Sequence, residues 1–346
     1  MSTQDIYDLV VVGGGPAGLA AAIYGGRANL KTVLLERGAT GGQAATTFRV
    51  ENYPGFPDGV GGPELMQMME EQAKAFGAEV TFGEVQGIRM ERSASHGAES
   101  CGQAGDGPGG AHVSSGTSIG IDSSESAIEW MGPFVVASTS GEIRGKTVII
   151  ATGTEPARLG VPGETELRGR GVSYCATCDG AFFRDKSVVV VGGGDSAIEE
   201  AIFLTRFAKT VMVVHRRDAL RATKILQQRA FDNPKIQFAW NSVVTTIVGT
   251  NKVEGVRLRN TKDGSERDLL ADGVFIYVGS RPNTEFLKGF LSLSAQGYIV
   301  TDERMRTQIG GIFAAGDVRQ KTLRQIVTAV SDGAIAAVEA EKLIAH

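Results

Sequence analysis

Cys175 and Cys178 are separated only by Ala176 and Thr177, and Asp179 follows them directly. A Cys-x-x-Cys pair closes a small ring, so its disulfide can form and open without rearranging a fold. Such motifs also lower a thiol pKa from about 8.5 toward 7, which raises the reactive thiolate fraction at neutral pH. Two other readings compete. Half of a zinc site would need a second Cys-x-x-Cys or a histidine pair at suitable spacing. The only other cysteine is Cys101, the nearest histidine in sequence is His215, and neither offers a paired partner. Two inert buried cysteines fit poorly with Gly171, Ser173, Asp179 and Gly180, which make this stretch a polar loop. Redox chemistry is the expectation.

The elements around the pair are two copies of one signature. Tyr7 to Val12 is an apolar run that enters Gly13-Gly14-Gly15-Pro16-Ala17-Gly18. An Ala-rich helical stretch continues to Arg27, and a strand-like run, Lys31 to Glu36, comes next. In such a strand–turn–helix the glycines permit the tight turn and let backbone N–H groups approach a pyrophosphate. Glu36 follows Gly13 by 23 residues, where a carboxylate accepts the hydrogen bonds of a ribose diol. Dinucleotide binding is expected, and a free 2′-hydroxyl suits the adenosine end of FAD.

Lys186 to Val191 is a second apolar run, entering Gly192-Gly193-Gly194-Asp195-Ser196-Ala197. A helix is expected to Phe207 and a strand over Thr210 to Val214. The second motif lies 179 residues after the first, so His215 falls where Glu36 stood, followed by Arg216 and Arg217, with Arg221 beyond. Replacing the acid with guanidinium groups converts a site for a free 2′-hydroxyl into one for a 2′-phosphate. The alternative is a solvated basic face. The second nucleotide is therefore expected to be NADPH. A hydride donor, a flavin and a dithiol define a short electron path.

With these motifs in hand, the chain resembles the low-molecular-weight, bacterial-type thioredoxin reductases. The likeness is carried by Gly13 to Gly18, Gly41-Gly42-Gln43, Val50 to Gly55 and Ala151-Thr152-Gly153. It continues through Cys175 to Asp179, Gly192 to Ala197, His215-Arg216-Arg217 with Arg221, and Gly316-Asp317. The resemblance implies a homodimeric FAD enzyme that moves electrons from NADPH to thioredoxin. It implies that Gln43, Asn52, Asp317 and Arg324-Gln325-Ile326 line the flavin, with Gly42, Val85 and Ala151 to Gly153 also at that cofactor. It further implies that Cys178 is the flavin-proximal sulfur, and that Asp179 is the acid beside the dithiol. On the second nucleotide the expected contacts are Gly192, Gly194, Asp195, Ser196, His215, Arg216, Arg217 and Arg221.

The C-terminal part agrees when read by itself. Gly311 to Asp317 is a short buried strand ending in a Gly-Asp turn, where a carboxylate can bind a polyol. Leu323 to Ile344 reads as one long helix. The fold class expected is α/β, with two Rossmann-like units and the NADPH domain inserted into a discontinuous FAD domain. The boundaries read as 1–155 plus 286–346 for FAD and 156–285 for NADPH.

The chain has 346 residues, 42% hydrophobic and 21% charged, with a formal net charge of −4, which argues against a general nucleic-acid binder. No apolar run approaches the roughly 18 residues of a membrane span, and Met1 to Asp5 lacks the features of a signal peptide. A cytoplasmic protein without membrane attachment is expected. Gly83 to Met90 and Pro133 to Ala137 read as strands of a small sheet. Between them, about 92–127, lies a Gly- and Ser-rich insertion that the family pattern does not require, carrying His96, Cys101 and His112. It reads as a flexible hairpin loop, with a docking arm or a regulatory thiol as sharper alternatives. Two functions compete with thioredoxin reduction. One keeps both cofactors but serves another small disulfide protein or dioxygen. The other is a redox-sensing flavoprotein, against which a dedicated 2′-phosphate site argues.

Overall fold

The computed structural model describes residues 6–47, 49–91 and 130–345. Its first sheet grows from β1 (Tyr7–Val12), which runs parallel to β2 (Thr32–Glu36) across the helix α1 (Pro16–Arg27). Successive β1 side chains point to opposite faces. Leu9 and Val11 enter one core, Val10 and Val12 another, because helices cover one face of the sheet and irregular C-terminal segments the other. The helix α2 (Gly62–Ala75) buries Leu65, Met66, Met69 and Ala73 on one stripe and leads to β3 (Glu79–Phe82), the parallel edge strand beyond β2.

β4 (Val85–Met90) and β5 (Phe134–Ser138) pair antiparallel, with Met90 opposite Phe134, so the chain between them leaves and returns at one hairpin end. The insertion itself lies outside the described residues, and so do His96, Cys101 and His112. The sequence reads this hairpin as part of a small sheet of the flavin domain. Instead β6 (Gly141–Ile150) joins it to the first sheet: Gly141 to Gly145 pair with β5, and Gly145 to Ile150 pair with β1. One ten-residue strand serves both neighbours, which gives the order β3-β2-β1-β6-β5-β4.

After β7 (Thr154–Pro156) and β8 (Val172–Ser173), the short helix α3 (Ala176–Asp179) precedes β9 (Ser187–Gly192). Next come α4 (Asp195–Leu204), β10 (Thr210–Val214), α5 (Lys224–Phe231) and β11 (Ile236–Ala239). The helix expected to reach Phe207 ends at Leu204, where Thr205 to Phe207 turn toward the next strand. An antiparallel meander follows, of β12 (Ser242–Val248), β13 (Gly255–Asn260) and β14 (Glu266–Leu270). β15 (Gly273–Tyr277) closes the second sheet, β11-β10-β9-β15-β8, all parallel. Its central strands are continuous valine and isoleucine runs, the composition expected of a sheet covered on both faces.

The chain returns through β16 (Ser280–Pro282), which pairs antiparallel with β7, so the outgoing and incoming crossings form one two-stranded ribbon. β17 (Ile312–Ala314) then pairs parallel with β6, and α6 (Ile326–Ala345) packs on α1. That contact is close: a Cβ on Gly333 would fall 2.0 Å from the Ala17 carbonyl oxygen. α6 begins three residues later than the expected Leu323, because Thr328 Oγ1 bonds the Leu323 carbonyl and Gln325 N–H bonds Thr328 Oγ1, capping the helix with an extended segment.

Candidate functional site

Cys175 and Cys178 are joined as a disulfide, with Cα atoms 5.4 Å apart. Cys175 has extended backbone and sits at the N-cap of α3, where its Sγ accepts from Cys178 N–H at 3.2 Å. Cys178 is exposed and Cys175 half-buried, while Ala176 between them is fully buried. The Ala176 N–H donates to the Tyr277 hydroxyl at 2.9 Å, and Asp179 N–H donates to the Cys175 carbonyl. Thr177 Oγ1 donates to the Thr46 carbonyl, in the 3-10 turn Gly42–Thr46 of the first unit. The redox turn therefore faces the loop that carries Gly42 and Gln43.

Around that loop the structure gathers most residues assigned to the first cofactor. Gly13 has φ +106°, and a Cβ there would lie 2.5 Å from the Ala151 carbonyl oxygen, so only glycine fits. Gly18 meets the Gly13 carbonyl just as closely, whereas Gly15 has nothing within 4 Å and leaves its backbone open to a ligand. Pro16 and Ala17 start α1. Glu36 Oε2 accepts from Gly14 N–H at 2.6 Å and Oε1 from Gly38 N–H at 3.1 Å. Each oxygen keeps a lone pair for a further donor.

Gln43 Nε2 donates to Thr154 Oγ1 at 2.9 Å, and Asn52 Nδ2 donates to Gln325 Oε1 at 2.9 Å. Thr152 and Asn283 exchange side chain-to-backbone bonds at 2.8 and 2.9 Å, beside Ala151 and Gly153. Val85 opens β4, Gly316 is buried, and Ile326 is the first residue of α6.

Two buried atoms test whether these residues suit a bound group. Among the described residues, Asp317 Oδ1 and Arg324 Nε have no hydrogen-bond partner. Burial pushes the Asp317 carboxyl above its ordinary range, with Lys321 and Arg324 opposing that shift. The Arg324 guanidinium lies over the Tyr298 ring, 4.3 Å from its centroid. Buried polar atoms are nearly always paired, so unmet groups beside an open glycine turn fit a polar ligand with phosphate and polyol parts. FAD has that chemistry.

At the second motif Gly192 has φ +153°, and a Cβ there would meet the Tyr277 carbonyl oxygen at 2.5 Å. Gly194 is open, Ser196 is exposed, and Asp195 Oδ1 accepts from Thr223 N–H at 2.6 Å. Arg221 N–H donates to the Gly193 carbonyl at 2.7 Å, which draws the basic segment over the glycine turn. Arg216, Arg217 and Arg221 are all exposed. His215 is placed differently. It is only 5% exposed, its ring lies under Gly193 and edge-on to Trp240, and burial holds its pKa below the usual value. The imidazole supports the turn from beneath, and the exposed basic surface belongs to the three arginines.

Residues 7–333 match the model of the pyridine nucleotide-disulphide oxidoreductases. The chain belongs to that family. Thioredoxin reductase of Bacillus subtilis (strain 168) is 48% identical over 338 residues, 97% of this chain and 94% of that one. The crystal structure of Lactococcus lactis thioredoxin reductase, 44% identical, superposes with a TM-score of 0.85 over 98% of this chain and 99% of that one. Thioredoxin reductase from Streptococcus pyogenes MGAS5005 is 47% identical and covers 99% of each chain, yet gives 0.59. The resemblance read from the motifs holds for this oxidoreductase.

Three residues were not singled out from the sequence. Phe182 lies four residues past Cys178 and is 73% exposed. Its signal was an aromatic in a polar loop. Glu200, on α4, is a carboxylate among Ala197, Ile198, Ala201 and Leu204, a break in an apolar pattern. Tyr277 reaches Ala176 across 101 residues of chain, a contact no local spacing announces. Among the described residues no helix is long and apolar enough to cross a membrane.

Proposed function

We propose that the chain is an NADPH-dependent thioredoxin reductase that uses FAD and the Cys175–Cys178 pair. The observation that carries this reading is the bonded pair itself, set before the second glycine motif and touching the first unit's loop through Thr177 and Thr46. When bound, the flavin supplies a two-electron relay between a hydride donor and a disulfide.

The chain's own residues do the rest. Gly13 to Gly18 and Gly192 to Ser196 offer backbone N–H groups to the two pyrophosphates, and Glu36 accepts ribose hydroxyls. Arg216, Arg217 and Arg221 hold the 2′-phosphate. Asp317, Asn52, Gln43, Gln325 and Arg324 surround the flavin. In the reduced pair, one sulfur as thiolate attacks the partner's disulfide, forming a mixed disulfide and releasing one partner thiolate. The second sulfur then attacks the first, re-forming the Cys175–Cys178 bond and releasing the second partner thiolate. Asp179 supplies a proton to a departing thiolate.

The 1–155 plus 286–346 unit is the FAD domain, 156–285 the NADPH domain, and one rotates on the other between half-reactions. Two solved relatives of nearly equal identity superpose with very different TM-scores, and rearrangement of two rigid units accounts for such a contrast better than sequence drift does. Exposed Phe182 beside the pair favours a protein acceptor over dioxygen. The reading includes a homodimer working in the cytoplasm. NADPH-dependent reduction of thioredoxin by the FAD-loaded protein tests it: turnover supports it, and flavin reduction without thioredoxin reduction sinks it.

A further inference from the structure

Behind the redox turn, away from the exposed Cys178, lies a polar contact that the electron path does not use. Tyr277 ends β15, pairs with Gly192 of the second glycine motif, and places its hydroxyl 2.9 Å from the Ala176 N–H. Ala176 is fully buried between the two cysteines, so this bond is the anchor for the inner side of the turn. Because the tyrosine oxygen accepts there, its own O–H proton is free for another acceptor. Glu200, on the neighbouring helix α4, raises the pKa of that hydroxyl once it is ionised, and Glu200 Oε2 is buried with no hydrogen-bond partner among the described residues. Thr177 and Glu200 also line one cavity of about 320 Å³.

We propose that Tyr277 is a positioning residue for the redox pair, anchoring its turn through the Ala176 amide and coupling it to the buried carboxyl of Glu200.

Breaking the S–S bond takes two electrons and, to reach the dithiol, two protons. A negative charge near the turn opposes thiolate formation, and a neutral acid does not. Burial, with the charge of Glu199 on the same helix, pushes Glu200 up to about 8, so it stays neutral at physiological pH. Asp179, like Glu200, acts on Tyr277 when ionised. The same cavity is lined by Glu199, Glu51, Arg49, Arg206 and Arg229, of which Arg229 and Glu51 pair with each other. Ionising Glu200 at higher pH therefore adds negative charge that acts on Tyr277, whose bond to the Ala176 amide carries the effect to the turn.

The inference rests on reading Cys175–Cys178 as a redox pair. Its test is the dithiol–disulfide equilibrium of the FAD-loaded enzyme in oxidised and reduced dithiothreitol, read by thiol alkylation and mass, from pH 6 to 9. Reversible titration of the wild type upholds the redox reading whatever the variants do. Tyr277→Phe keeps the ring and removes the acceptor, so the equilibrium should shift toward the dithiol about three- to tenfold, or about 15–30 mV. Glu200→Gln should depart from wild type only as pH rises toward and past about 8, where the wild-type inflection disappears. Variants that track wild type at every pH overturn the proposal. A Tyr277→Phe shift with no change in Glu200→Gln also overturns it, because the coupling would be absent.

Discussion

Thr177, between the two cysteines, donates its hydroxyl hydrogen bond to the carbonyl oxygen of Thr46, in the loop that follows the first acid. Beside it, Arg229 Nη1 pairs with Glu51 Oε2 at 2.8 Å, both side chains about half exposed. A hydrogen bond is worth about 1 kcal/mol net and an exposed ion pair about 0–1 kcal/mol. Contacts of that size hold one arrangement without forbidding another. The disulfide and a nicotinamide cannot occupy the same space over one flavin ring, so a weakly held contact suits the rotation proposed above.

A lock should expose this. Glu51→Cys with Arg229→Cys, bridged by a short bis-methanethiosulfonate linker long enough to span the former ion pair, is expected to permit electron exchange between the pair and the flavin while abolishing multiple turnover. Reduction of the lock should restore it. Stopped-flow and steady-state assays on the same sample make the comparison.

The nucleotide preference is read from the arginines. Replacing Arg216 and Arg217 by neutral residues removes charge-assisted bonds worth roughly 1.5 kcal/mol or more each, so the NADPH KM should rise roughly a hundredfold. The NADH KM should hardly move. Steady-state kinetics with both nucleotides check this, and equal losses would remove these residues from the 2′-phosphate site.

Phe182 is the exposed aromatic nearest the pair in sequence, four residues past Cys178. Phe182→Ala should raise the thioredoxin KM about tenfold, as loss of an interface anchor does, and leave reduction of a small aromatic disulfide within about twofold. Parallel assays with the two acceptors separate docking from chemistry.

Glu200 also marks stability. Its folded pKa is raised to about 8 from an ordinary 4.5. The fold binds its proton more tightly than the unfolded chain does, so its contribution is complete below about pH 4.5 and is lost as pH rises through about 8. The Tm of Glu200→Gln minus that of wild type should therefore grow from pH 5 and level off above about 8. A constant difference would show that Glu200 titrates normally.

Much of this was legible in the chain because it is local. The strand, glycine turn, helix and acid of the first motif occupy consecutive residues, and β1 and α1 fall where the periodicity put them. The second motif repeats the pattern, so the swap of Glu36 for His215 and its arginines could be read by register. What escaped is set by tertiary contact. No spacing shows that His215 turns inward under Gly193, because burial depends on Trp240 and the sheet. Nor does any show that Tyr277 reaches Ala176, or that β6 carries the β4–β5 hairpin onto the first sheet. The Asp317 carboxylate was legible as a polyol ligand, but its unmet oxygen was visible only once α6 and the Arg324 segment were in place.

That electrons reach the partner through Cys175–Cys178 is tested most directly by rapid mixing of Cys175→Ser and Cys178→Ser with NADPH, followed at the flavin absorbance, and then with thioredoxin. Each variant is expected to bind FAD and to have it reduced by NADPH at close to the wild-type rate, while thioredoxin reduction falls by at least about three orders of magnitude. Near wild-type thioredoxin turnover in either variant would contradict the relay.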